Sequence, residues 1–149
     1  MESLTRRHFL QVGGVALMGG VAGCSSAEEP PHPTLGELDV VNFDSTSYTL
    51  HVLLFRAGDA VYWASEPVSP ATDHSPGGAT FDGYPTESID ELVVRRDDQP
   101  KPEWERFDLT EYETDCLGFS IHIGDIDGRT PGEVSIWKTS NPSACERDE

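Results

Sequence analysis

Hydrophobic and polar positions divide the chain into two unlike parts. From Val12 to Gly23 every residue is apolar or glycine, in one unbroken run. Beyond Leu35 the apolar residues come in short stretches at alternate positions, the period of a β-strand with one face turned to a core. Ser47 to Phe55 is the clearest case. Tyr48, Leu50, Val52 and Leu54 fall on one face and Thr49, His51, Leu53 and Phe55 on the other. The second face is itself partly apolar, as in a strand inside a sandwich.

The same reading predicts strands over Leu38–Phe43, Ala60–Ala64, Trp104–Leu109, Leu117–Ile123 and Val134–Lys138. Ala57-Gly58-Asp59 supplies a hairpin turn between the second and third stretches. Ser88-Ile89-Asp90-Glu91 has the spacing of a helix capping box. The residues after it, Leu92-Val93-Val94-Arg95-Arg96, are short and β-branched, and favour a strand. Ser65 to Glu87 holds four prolines and three glycines and reads as a long irregular loop, with Thr80-Phe81-Asp82 as a short edge strand within it. Gly124 to Gly132 reads as a polar turn. The expectation is an all-β fold: an antiparallel two-sheet sandwich, immunoglobulin-like in outline.

The apolar run at the start belongs to something else. Phe9 to Gly23 is about 15 residues, roughly 22 Å as a helix, which is short of a ~30 Å hydrocarbon core. Glycines 13, 14, 19, 20 and 23 weaken it as a helix. Arg6-Arg7 precede it, and Ser25 to Pro33 (SSAEEPPHP) follow as a stiff, extended spacer. Thr5 to Gln11 resembles the S/T-R-R-x-F-L-K twin-arginine export signal, with Gln11 where lysine is usual. Val21-Ala22-Gly23-Cys24 resembles a lipobox, whose cysteine takes the lipid. The resemblance implies a signal over 1–23, a lipid anchor and linker over 24–34 with Cys24 as attachment site, and a β-sandwich domain over 35–149. It places the protein on the extracytoplasmic face of the cell membrane, lipid-anchored.

Charge sharpens that picture. The 149 residues include 27 acidic and 10 basic ones. Without Glu2, Arg6 and Arg7 the remaining 126 residues carry 26 and 8, a net of −18. Nucleic acid is disfavoured as a partner, because phosphate binding needs a basic patch and Arg95-Arg96 is followed at once by Asp97-Asp98. Three Trp, four Tyr and five Phe argue for a folded domain under an acidic coat. Such a coat is tolerable where salt screens it, since the Debye length at molar salt is ~3 Å. Acidic excess, two lysines after the signal and the twin-arginine motif together resemble the exported lipoproteins of salt-loving archaea. So does the body, EWERFDLTEYETDCLGFSIHI with VSIWKTSNPSAC. That resemblance brings no activity with it.

Candidate chemistry is sparse. Cys116 and Cys145 are an even pair in an exported domain, and a disulfide is expected, closing a loop worth on the order of 3–4 kcal/mol. Asp125-Ile126-Asp127-Gly128 hints at calcium, but Ile123 stands where a further acid is needed, and a turn with solvated acids is the better reading. No metal site and no cofactor are expected. Histidines 32, 51, 74 and 122 form no short-range pair, and no methionine follows Met18 to complete a copper site. Nucleophile-elbow, P-loop and dinucleotide motifs are missing from the sequence. Glu103, Glu105, Glu111 and Glu113 lie near Trp104 and Tyr112, as a glycosidase requires, but carboxylate pairs are common in so acidic a chain.

Trp63, His74, Phe81 and Tyr84, in and beside the long loop, are the candidate ligand-contact residues. The competing reading is that Phe81 and Tyr84 plug one end of the sandwich. The function expected is non-enzymatic binding of a solute or surface protein. An accessory role in an exported redox or transport complex comes second and a secreted hydrolase third. Replacing Cys24 with serine is predicted to release the protein from membranes, as read by fractionation. A Cys24→Ser protein that stays with the membrane contradicts the lipobox reading.

Overall fold

Alternation within the strands decides how the layers form. The computed structural model describes residues 32–140 and Cys145. The signal with Arg6 and Arg7, the attachment residue Cys24 and most of the linker lie outside the described residues. Among the described residues there are eight strands: β1 Thr34–Asn42, β2 Tyr48–Arg56, β3 Asp59–Val68, β4 Gly77–Thr80, β5 Glu91–Arg96, β6 Glu105–Asp108, β7 Cys116–Ile123 and β8 Val134–Thr139. They form two four-stranded sheets, ordered β4-β1-β7-β8 and β3-β2-β5-β6. We call these sheet A and sheet B. The fold is an all-β sandwich, immunoglobulin-like in outline.

The core fills from the inward face of each strand. Leu38 and Val40 of β1, with Phe119, Ile121 and Ile123 of β7, come from sheet A. Leu50, Val52 and Leu54 of β2, with Leu92 and Val94 of β5, come from sheet B. Full burial of each such side chain contributes about 1.5–3 kcal/mol. Phe81, Ile89 and Leu109, from connecting segments, join the same core.

Four expectations are corrected. The sandwich is not wholly antiparallel: β1 runs parallel to β7, with Leu38 opposite Phe119 and Val40 opposite Ile121. The irregular stretch expected over 65–87 is shorter, because β3 continues through Pro67 to Val68. Proline is tolerated there because β3 pairs with β2 alone and is an edge strand. The short edge strand is Gly77–Thr80, antiparallel to β1, so Phe81 and Asp82 lie beyond it. Finally, Leu109 leaves β6 and opens a 3-10 turn over Leu109–Glu111, whose first residues are capped by the Asp108 carboxylate. The Ser88–Glu91 segment nucleates no helix. Ser88 takes a left-handed φ of 57°, and β5 begins at Glu91.

Cys116 and Cys145 form a disulfide, with Cα atoms 6.0 Å apart. It fastens the C-terminal segment to the start of β7, beside the β1 residue Thr34, which pairs with Cys116. Among the described residues no helix is long and apolar enough to cross a membrane.

Candidate functional site

Outward positions on three neighbouring strands of sheet A gather three rings. In β7 the core takes Phe119, Ile121 and Ile123, so Ser120 and His122 face out. In β8 Val134 is buried, and Ser135 and Trp137 turn outward opposite His122 and Ser120. Phe43 follows directly after β1, its amide donating to the Ile123 carbonyl at 2.9 Å. The outcome is a ledge. Trp137 stacks on His122 with ring centroids 5.4 Å apart and planes at 23°, and Phe43 meets His122 edge-on at 5.3 Å. The indole is 62% exposed, and its Nε1–H donates to the Ser135 hydroxyl at 3.2 Å, which fixes its orientation.

Two hollows flank Trp137. One, of about 370 Å³, runs from Phe43 and His122 to the loop between β7 and β8, where Asp125, Asp127 and Glu133 line it. The other, of about 310 Å³, lies over Gly118 and Ser120 and is bordered by Glu37 and Asp39. Both are open and shallow rather than enclosed.

The β7–β8 loop is held firmly. Gly124 donates to Glu133, and Gly132 donates to the Asp44 carboxylate and accepts from Arg96 Nη1 at 2.6 Å. Gly124 and Gly132 have φ of 71° and 74°. A Cβ at Gly124 would press on the Asp44 carboxylate, and one at Gly132 on the Arg96 guanidinium. The Asp125 carboxylate accepts the Arg129 amide at 2.7 Å, so it shapes the turn. No group of three or more His, Cys, Asp or Glu residues able to hold a metal ion is gathered among the described residues.

The four residues expected to form one contact patch are not one. Phe81 is 1% exposed and belongs to the core. Tyr84 is half-buried, donates to the Gly36 carbonyl at 2.7 Å and meets Tyr62 edge-on at 6.0 Å. Trp63, 66% exposed, lies on the other face of β3 from Tyr62, on the outside of sheet B. His74 sits in an exposed turn organised by Thr72 and Ser75. The four glutamates separate as well. Glu103 and Glu105 border one hollow, and Glu111 and Glu113 another.

A second polar line crosses the outside of sheet B. His51 Nδ1 lies 2.6 Å from the Ser65 hydroxyl on the opposing strand, and its Nε2 meets the Asp97 carboxylate. An ionised Asp97 accepts only, so Nε2 carries a proton, and in the neutral ring Ser65 donates to Nδ1. Both ring nitrogens of this nearly buried histidine are thereby satisfied. Ser65 is exposed on the outer face of the sheet.

Sequence reading missed the ledge because Phe43 and Trp137 are brought together only by β7 lying between β1 and β8. The available signal was the alternation in β7 and β8, which turns His122 and Trp137 outward. Compared with protein-family models, curated proteins and solved structures, the chain matches none.

Burial lowers the His122 pKa below the ordinary histidine value, and the Asp39 carboxylate opposes this in part. A lowered folded pKa means that the unfolded chain binds the proton more tightly. The His122 contribution is therefore fully present above the ordinary histidine pKa and lost as pH falls through the lowered one. NMR titration is expected to give a His122 pKa below that of a free histidine, and Asp39→Asn to lower it further. A His122 pKa at or above the free value contradicts the stacked, desolvated arrangement.

Proposed function

We propose that this protein is a lipid-anchored binding domain on the extracytoplasmic face of the cell membrane, without enzymatic activity. Its contact surface is the ledge of Phe43, His122 and Trp137. One observation carries the reading: β7, β8 and the residue just after β1 turn their rings to the same outward face, and a largely exposed indole lies between two hollows. A large apolar side chain left exposed on a rigid sheet is a natural contact point, and aromatic residues give much contact area for little lost rotamer entropy. The export signal and lipobox support the anchor. The SSAEEPPHP spacer would hold the domain away from the lipid.

The ledge suits a solute better than a large flat partner, because its hollows are local and its rim is polar. The test is a panel of sugars, amino acids and organic cations, added to the purified protein in molar salt and followed by NMR. At least one class is expected to shift the Trp137 indole N–H and the His122 ring protons saturably. The indole signals of Trp63 and Trp104 should stay in place. A panel in which no class moves the ledge signals overturns this reading of the site.

A further inference from the structure

We propose that the ledge is the seat of a dissolved organic cation bearing an alkylated ammonium group. The inference rests on the ledge being a binding surface and adds the class of ligand.

One face of the Trp137 indole is covered by His122, and the residue remains 62% exposed. An indole face attracts a cation within about 6 Å of its centroid, more strongly than any other side-chain ring. Burial lowers the pKa of the imidazole beneath it, which disfavours the charged ring that would repel a cation above. Phe43 buttresses the imidazole from the side.

Charge points the same way. The two hollows beside the indole carry Glu37 and Asp39 on one side and Asp125, Asp127 and Glu133 on the other. The nearby cations are already engaged. Lys138 Nζ lies over the Tyr112 ring at 4.5 Å from its centroid, and Arg129 pairs with Asp127 at 3.8 Å. Lys138 also borders the Glu37–Asp39 hollow, but an anionic ligand would face five carboxylates against that one ammonium. A neutral ring could stack on Trp137, but its hydrogen bonds to the rim would replace bonds to water at small net gain.

Among cations, hydration selects. In molar salt the Debye length is ~3 Å, so the rim carboxylates act only at contact and cannot by themselves choose a ligand from a sea of sodium or potassium. The contact that discriminates is the ring face. It favours a weakly hydrated cation whose methyl groups leave water readily, and disfavours metal ions and primary amines that hold their hydration shells.

The test compares choline with its neutral carbon isostere, 3,3-dimethylbutan-1-ol, and with glucose, using the full purified protein in molar potassium chloride. Choline is expected to shift the Trp137 indole N–H and His122 ring signals saturably, with an affinity at least tenfold above that of the isostere. Trp137→Ala is expected to abolish the His122 response while the melting midpoint falls by only a few degrees, from the lost stack on His122. If the isostere binds as well as choline, or glucose alone moves the ledge signals, the cation inference is overturned while the ledge reading stands. If choline leaves the ledge signals unmoved, the inference is overturned as well, and the wider panel decides the fate of the ledge.

Discussion

One carboxylate ties the end of the sandwich on which the ledge stands. Asp44, in the connection from β1 to β2, accepts hydrogen bonds from the Tyr48 hydroxyl of sheet B and from the Gly132 amide in the β7–β8 loop of sheet A. Its own carbonyl accepts from Ala71, and its amide donates to the Asn42 side chain. Arg96, from β5, completes the bridge by donating to the Gly132 carbonyl while it lies over the Tyr48 ring and pairs with Asp98. Burial and then the Asp44 carboxylate raise the Tyr48 pKa, which keeps the hydroxyl protonated as a donor. Segments from both sheets thus meet at this one residue.

The ledge depends on this tie for its geometry. Strand packing alone positions His122 and Trp137, but the hollow beside them is bounded by a loop of ten residues that carries little apolar surface of its own. Such a loop would otherwise lose its order cheaply, because each residue released regains about 1–2 kcal/mol of backbone entropy. Asn42 guards the same corner from the other side. It is fully buried, and its amide donates to the Thr46 and Ser69 carbonyls at 2.8 and 3.0 Å. Leaving such a buried group unpaired costs on the order of 1–3 kcal/mol, so the corner closes in one way. A ligand meeting a pre-set ledge loses less freedom on binding than one that must order the loop first.

The layers of this fold were legible in the sequence, and the meeting of its ends was not. Period-two patterns in Tyr48–Phe55 and Leu117–Ile123 announce strands with their inward residues already chosen, because alternation is a local property. Pro67 and the glycines of β4 misled because propensity describes a central strand, whereas edge strands accept residues that lack a donor or a side chain. The parallel pairing of β1 with β7 was hidden for a different reason. It joins residues about 80 positions apart through a register that no local pattern encodes. The ledge inherits that blindness, as does the Asp44 tie. A polar, proline-rich loop composition suggests exposure for Phe81 and Tyr84, yet the core takes the first and half-covers the second, as the plug reading has it.

The account makes the Asp44 carboxylate the holder of the ledge's frame, and backbone hydrogen exchange tests that most directly. In Asp44→Ala, the Gly132 amide and its neighbours in the β7–β8 loop are predicted to exchange at least tenfold faster. Core amides of β2, β5 and β7 should keep their protection. Loop amides that exchange as in the unaltered protein, or a loss of protection spread evenly over both sheets, would contradict it.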